Sequence, residues 1–420
     1  MGMTMAEKVL ARASNRDKVV PGQIVTAAVD WTWIAGDLWQ VFYPILKELK
    51  ADRFWDPDRI IVVHEHMVPP SSLEIANALA LSRKVVQEYG ITRFYEMGRS
   101  GICHQLFIEE GYALPGQLVV GTDSHTCSYG ALNTASRGIQ IDIINVLLKG
   151  ELWFRVPETI RVEVTGKLEA PIMSKDVILH LAGLYGTEMA LYKSIEFVGE
   201  TVDQMSIASR IAVANMGIEV GAKFLMMEAD QKTEAYLEGR AKEPYRPVKS
   251  DQDANFEHVI YLDVDQLEPM VACPHDVGNV KPISQVKGIK MDQAFLGSCT
   301  NARYEDLEIA AKILKDRKIH PDIRMIVTPA SQEVYKEALK NGLIEIFAEA
   351  EAVVTNPTCG ACGGIHLGLL GDGEKCIGSQ NRNFKGRMGS PNAEVYIASP
   401  ATVAASALAG ALADPRDYFN

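Results

Sequence analysis

The chain has 420 residues, of which 47% are hydrophobic and 23% charged, and it carries a formal net charge of −12. That length suggests two to four domains with sizeable cores, and the acidic balance argues against a nucleic-acid surface. No apolar run approaches the roughly 20 residues of a membrane span. The N-terminal stretch MGMTMAEKVLARAS lacks the apolar core of a secretory signal, and Ala6 stands where a myristoylation motif wants Ser or Thr. A cytoplasmic enzyme is the expectation, with no nucleic acid and no membrane among its partners.

Short apolar runs alternate with amphipathic stretches along the chain. In order, residues 59–63, 117–120, 293–296, 323–327, 351–354 and 394–397 read as buried strands, and 306–316, 332–341 and 401–412 as helices. Strand–helix–strand alternation predicts a parallel α/β sheet, in which ligands gather at the carboxyl ends of strands. The polar motifs follow that rule. His64-Glu65-His66 comes after the first run, Gly121-Thr122-Asp123-Ser124-His125 after the second, and Cys299 after the third. Cys359 and Cys362 follow the run at 351–354. A lone strand-end histidine is more often structural, whereas several converging ones point to a site. The stretch 161–169 closes a strand-rich region, 230–253 is a charged surface excursion, and 269–282, with its Pro, Gly and Asn, reads as a linker. The predicted domains are 1–167, 168–280 and 281–420. Heptads, low-complexity tracts and short repeats are not evident.

Seven cysteines, an odd number at irregular spacing, argue against a secreted disulfide framework. A single CxxC fits a redox pair, half a zinc site or two buried thiols, and without a second CxxC a four-thiolate zinc ribbon is not expected. Taken with the distant Cys299, however, Cys359 and Cys362 make a three-thiolate set. Three thiolates on a cluster that normally takes four would leave one iron open as a Lewis acid. Arg382 and Arg387 lie in a glycine- and asparagine-rich loop. They are either ordinary surface charges or carboxylate clamps, since the guanidinium fork matches a carboxylate.

Several segments together resemble the aconitase superfamily, and most of all the large subunits of its two-subunit 3-isopropylmalate dehydratase and homoaconitase branch. They are Gly101-Ile102-Cys103-His104-Gln105, GTDSHT from Gly121, Leu152-Trp153-Phe154-Arg155-Val156-Pro157, Asn215-Met216-Gly217-Ile218-Glu219, Val271-Ala272-Cys273-Pro274-His275, GSCTN from Gly297, CGAC from Cys359, and Asn381-Arg382-Asn383-Phe384. They run over nearly the full length. The resemblance implies a three-domain α/β large subunit, with parallel and mixed sheets around a central cluster cleft and without the swivel domain. It implies a [4Fe-4S] cluster on Cys299, Cys359 and Cys362, and a hydro-lyase that dehydrates and rehydrates a hydroxy-di- or tricarboxylic acid, as in leucine biosynthesis. By matched motif, the histidine–carboxylate pairs would be Glu65 with His66, Asp123 with His104, and Glu219 with His125, the His66 pair donating to the departing hydroxyl. A carboxylate beside an imidazole fixes its orientation and favours its protonated form. Ser124, Asn215, Asn381, Arg382 and Arg387 would hold substrate carboxylates or order the cluster surroundings. The family's base is a serine on a mobile fourth domain. The sequence ends at Asn420, soon after the helix from Ala401, so a small swivel-domain subunit is expected to supply that serine in a heterodimer.

Three departures bear on the substrate. Glu65-His66 stands where the family usually has Asp-His, and one extra methylene moves the pair by about an ångström. Asp30-Trp31-Thr32-Trp33-Ile34-Ala35-Gly36-Asp37 stands where a segment close to His-Asp-Gly-Thr-Gly-Pro is usual, and core packing is the plain reading of Trp31 and Trp33. The stretch 133–142 replaces a glycine-rich segment, is one residue shorter, and brings in the charge of Arg137. The cluster cysteines are untouched by these changes. The acid is left open between 3-isopropylmalate and another substituted malate, such as 2,3-dimethylmalate, maleate or homoaconitate. An RNA-binding apo-protein is opposed by the acidic balance. An inactive structural subunit is opposed by the intact cysteines and histidine–carboxylate pairs.

Overall fold

Five parallel strands form the sheet that carries the histidines. In the computed structural model, which describes residues 2–419, their order is Arg93–Tyr95, Ile60–Val63, Trp31–Ala35, Leu118–Gly121 and Ala135–Gly138. Strands buried on both faces read as continuous apolar runs, and Ile60–Val63 and Leu118–Gly121 are buried at every position. The middle strand, Trp31–Ala35, is likewise wholly buried. Helices Met5–Ala13, Trp39–Glu48, Leu73–Glu88 and Ile143–Lys149 share its core through Leu10, Trp39, Val85 and Val146, which meet Ile60, Val62 and Val120. The first of these helices starts on a capping box made by Thr4 and Glu7.

The chain divides into two compact units. One comprises Met1–Val164, Ala190–Ile207 and Gly221–Tyr261, the other Thr165–Met189, Ala208–Val220 and Leu262–Asn420. The second unit is built on a seven-stranded mixed sheet in the order Val280–Pro282, Met270–Ala272, Glu394–Ile397, Lys375–Gly378, Gln293–Leu296, Arg324–Val327 and Val353–Val354. The last five strands are parallel, and the first two join antiparallel. Helices Tyr304–Leu314 and Pro400–Ala409 pack together. The small side chains of Ala401, Ala404, Ala405 and Ala407 are all fully buried there. The α/β class with parallel and mixed sheets is as expected. The three-part division at 167 and 280 is a reading of sequence position and stays a proposal.

One expectation is corrected. The stretch 269–282 is no linker: Met270–Ala272 and Val280–Pro282 pair as a hairpin at the edge of the seven-stranded sheet. Pro274, Gly278 and Asn279 lie in its turn, while the apolar Met-Val-Ala run is buried and Asp176 accepts the N–H of Met270 at 2.9 Å. The strands Trp31–Ala35, Ala135–Gly138 and Lys375–Gly378 carry polar or bulky residues that hid their pattern.

Candidate active site

In the first unit, every candidate side chain leaves the carboxyl end of the five-stranded sheet or the helix beside it. Glu65 and His66 follow Ile60–Val63, Asp123 follows Leu118–Gly121, and His104 sits in the first turn of Cys103–Glu109. Asp123 caps the 3₁₀ turn Ser124–Leu132 by accepting the N–H of His125 at 2.8 Å. The same Oδ1 takes His104 Nε2 at 2.9 Å and lies 3.3 Å from His125 Nδ1. Oδ2 lies 3.7 Å from His66 Nε2. One carboxylate thus faces three imidazoles. Glu65 Oε1 meets His66 Nδ1 at 2.7 Å, and Glu65 Oε2 takes the N–H of Cys103 at 3.1 Å. His64 points into the interior between Glu96 and Ser82, at 2.9 and 2.8 Å.

The electrostatics follow from this geometry. Burial disfavours a charged Asp123, but hydrogen bonds from His104, His125 and His66 outweigh it and hold the carboxyl well below its ordinary range. Burial likewise opposes a charged His66, yet the Glu65 carboxylate and the bond to Asp123 raise its pKa well above the usual value. Glu65, also opposed by burial, is lowered by His66. The two carboxylates that hold His66 thus favour its protonated, donating form.

Trp31 and Trp33 are core residues, 2% and 0% exposed. Trp33 stands edge-on to His104 at 5.3 Å between ring centroids. It also fills the space that a side chain at residue 121 would need, since a Cβ on Gly121 would collide with its indole ring. Arg137 donates to the carbonyl of Ala222 at 2.8 Å, and burial lowers its pKa. Tyr129, which the sequence does not single out, places its hydroxyl 3.5 Å from His104 Nδ1.

In the second unit, three parallel strands release three loops from their carboxyl ends. Gln293–Leu296 leads to Cys299, Val353–Val354 to Cys359 and Cys362, and Lys375–Gly378 to Asn381 and Arg382. The Cys299 loop is held in a demanding backbone: Ser298 and Ala302 have φ of 82° and 91°, each of which costs about 1–3 kcal/mol in a non-glycine residue. Asp306 stabilises it by accepting from Asn301 Nδ2, Ala302 N and Arg303 N at 2.9, 2.9 and 3.0 Å. Arg303 clasps the carbonyls of Thr300 and Cys299 at 2.6 and 2.8 Å. Between Cys359 and Cys362, Gly360 has φ of 59°, and a Cβ there would fall 2.7 Å from Thr328 Oγ1, so only glycine fits.

Nitrogen donors face the sulfurs of Cys299 and Cys362. Asn215 Nδ2 and Asn381 Nδ2 lie 3.2 and 3.3 Å from Cys299 Sγ. Arg387 Nη2 lies 3.3 Å from Cys362 Sγ, and that sulfur in turn donates to Asn381 Oδ1 at 3.7 Å. Thr300 Oγ1 donates to Asn215 Oδ1 at 2.7 Å and fixes its amide. All seven cysteines are free thiols. Donors aimed at sulfur stabilise thiolate over thiol, as an iron–sulfur group requires, so the residues present fit such a group. Glu219 accepts from Arg382 Nε at 2.8 Å. His125 belongs to the first unit and Glu219 to the second, and their pairing remains a proposal. Ser124 stays in the first unit, its Oγ 3.4 Å from His125 Nδ1.

Comparison with known proteins gives the lineage. The profile of the aconitase family (aconitate hydratase) matches residues 64–287 and 279–410. The chain is 49% identical over 416 residues to the probable 3-isopropylmalate dehydratase large subunit of Methanothermobacter thermautotrophicus, covering 99% of each chain. It is 44% identical over 419 residues to the probable methanogen homoaconitase large subunit of the same organism, covering 99% of this chain and 98% of the other. The crystal structure of Thermococcus kodakaraensis aconitase X in its holo-form shares the fold with a TM-score of 0.51 at 11% identity, over 90% of this chain and 88% of that one.

Proposed function

The chain belongs to the aconitase family of hydro-lyases, and from that premise we propose that it is the large subunit of a two-chain dehydratase acting on 3-isopropylmalate. The observation that carries the proposal is Asn381. Its side chain reaches both Cys299 and Cys362, so two cysteines from separate loops face one polar group. Homoaconitate or another substituted malate is the second reading, favoured by Glu65, the 30–37 segment and Arg137, and by the 44% identity to a homoaconitase large subunit.

When bound on Cys299, Cys359 and Cys362, a [4Fe-4S] cluster supplies a Lewis-acidic iron for the hydroxyl and carboxylate of the substrate. The chain's own residues do the rest. His66, kept protonated by Glu65 and Asp123, donates its proton to the departing hydroxyl. Asp123 fixes His104 and His125 in place. Arg382 and Arg387 offer guanidinium forks to the substrate carboxylates, with Glu219 setting the direction of Arg382. Asn215 and Asn381 order the sulfurs, and Ser124 adds a hydroxyl to the substrate surface. The base that removes the carbon-bound proton is assigned to a small subunit, in keeping with relatives named as large subunits. A cytoplasmic location belongs to the same proposal and suits seven unbridged thiols. No helix among the described residues is long and apolar enough to cross a membrane.

The test is anaerobic purification and reconstitution with iron and sulfide, then assay with a small subunit on 3-isopropylmalate, homoaconitate and 2,3-dimethylmalate. The proposal expects a brown, oxygen-labile protein, turnover only with the small subunit, and preference for 3-isopropylmalate. Stoichiometric zinc, an absence of iron and sulfide, or full turnover by the isolated chain would overturn it.

A further inference from the structure

Lys175 is the second residue of the helix Ser174–Tyr185, and it is fully buried. Its ammonium donates to the carbonyl of Gln380 at 2.6 Å and to the carbonyl of Ser379. Neutral carbonyls do not balance a buried charge, which is costly unless an anion lies near. The carboxylates that act on it are committed elsewhere. Asp176 accepts the N–H groups of Met173 and Met270, both at 2.9 Å, and Asp306 is taken up by the Cys299 loop. Burial pushes both acids up to about 6. Cys362 and Cys299, when ionised, also act on Lys175 and pull against the burial that brings the ammonium down to about 7.

The carbonyls that Lys175 holds lead to the same sulfurs. Ser379 Oγ donates to the carbonyl of Gly297 at 3.0 Å and accepts its N–H at 2.9 Å. Gly297 stands two residues before Cys299. Gln380 is followed at once by Asn381, the residue that reaches both Cys299 and Cys362. One ammonium therefore pins the start of the loop whose next residue addresses two candidate iron ligands.

We propose that Lys175 is a positioning residue for the thiolate-bound cluster: its charge balances the thiolates, and its two hydrogen bonds aim the Asn381 Nδ2 donor at Cys299. The proposal rests on the cluster reading above and adds the counter-charge. Reduction potentials of iron–sulfur groups follow net charge and hydrogen bonding to sulfur, so removing a nearby cation makes electron uptake harder. Outer residues that orient ligands typically contribute about 10- to 100-fold in metal retention.

The experiment compares the parent with Lys175→Met, Lys175→Gln and Lys175→Arg, each reconstituted anaerobically. It reads the cluster's reduction potential, iron release to a chelator, and the unfolding midpoint of each apo form. Lys175→Met and Lys175→Gln should lower the potential and release iron about 10-fold faster, with apo forms at least as stable as the parent's, because an unbalanced buried charge is gone. Lys175→Arg should keep the parent's potential. A loaded Lys175→Met with unchanged potential and iron release overturns this inference alone. A parent that takes up no iron and sulfide overturns the cluster reading with it. If neither neutral variant folds as apo-protein, Lys175 is a packing residue and the inference is lost.

Discussion

Glu65 joins two elements with one carboxylate: Oε1 meets His66 Nδ1 at 2.7 Å, and Oε2 takes the backbone N–H of Cys103 at 3.1 Å. The helix Cys103–Glu109 that starts there carries His104. A side chain one methylene shorter cannot keep both contacts without moving the ring or the helix. Glu65→Asp should therefore lower turnover by roughly 10-fold or more, the scale of a small misplacement in positioned catalysis. Glu65→Gln should be worse, because it also removes the charge that favours protonated His66. Steady-state rates at matched cluster content decide it. Unchanged rates in both variants would remove the Glu65–His66 pair from the mechanism.

The His66–Asp123 contact also predicts a stability profile with two limbs. His66 is raised in the folded state, so its contribution is complete below the ordinary histidine value of about 6.5 and fades as pH rises through the higher folded value. Asp123 is lowered, so its contribution is complete above about 3.9 and fades as pH falls through the lower folded value. Melting temperatures measured from mildly acidic to alkaline pH should decline on the alkaline side in the parent. His66→Gln should flatten that decline. Parallel curves for the two proteins would contradict the ion pair.

Arg382 is directed by Glu219 through a charge-assisted bond of 2.8 Å. Lysine has no Nε to offer in that geometry and no planar fork for a carboxylate. Arg382→Lys should raise KM by roughly 10- to 100-fold, the equivalent of about 1.5–3 kcal/mol for a bond to a charged group, while cluster content stays at the parent's level. Progress curves over a range of substrate concentrations, with iron assayed in parallel, separate this from a general loss of folding.

The seven cysteines should divide by chemistry. Cys376 is fully buried in the strand Lys375–Gly378, and burial pushes its thiol up to about 12, so it is an inert side chain. Cys376→Ala should keep iron and sulfide at the parent's level. Cys359→Ser should lose the cluster and activity together. Iron and sulfide analysis of both anaerobic proteins provides the check, and a Cys359→Ser protein that stayed fully loaded would remove Cys359 from the ligand set.

The carboxyl ends of strands were readable from the chain alone, because apolar runs such as Ile60–Val63 and Gln293–Leu296 are local patterns and the polar motifs follow them directly. The hairpin at 269–282 was misread because its turn residues outweigh a three-residue strand. Trp31–Ala35 was hidden because two tryptophans read as packing rather than as the centre of a sheet.

The candidate residues themselves were also legible, since cysteine, histidine and carboxylate motifs keep their chemistry wherever they stand. Their partnerships were decided only by the tertiary structure. That Asp123 faces His66 and His125 as well as His104, that Asn381 reaches Cys299 from 82 residues away, and that Lys175 holds the Ser379 carbonyl across 204 residues are long-range facts. Hydrophobic periodicity repeats over a few residues and carries no information about which distant loops meet. Sequence determined which groups are present and which strand ends carry them; packing of the sheets determined which groups share a carboxylate, an amide or a buried charge.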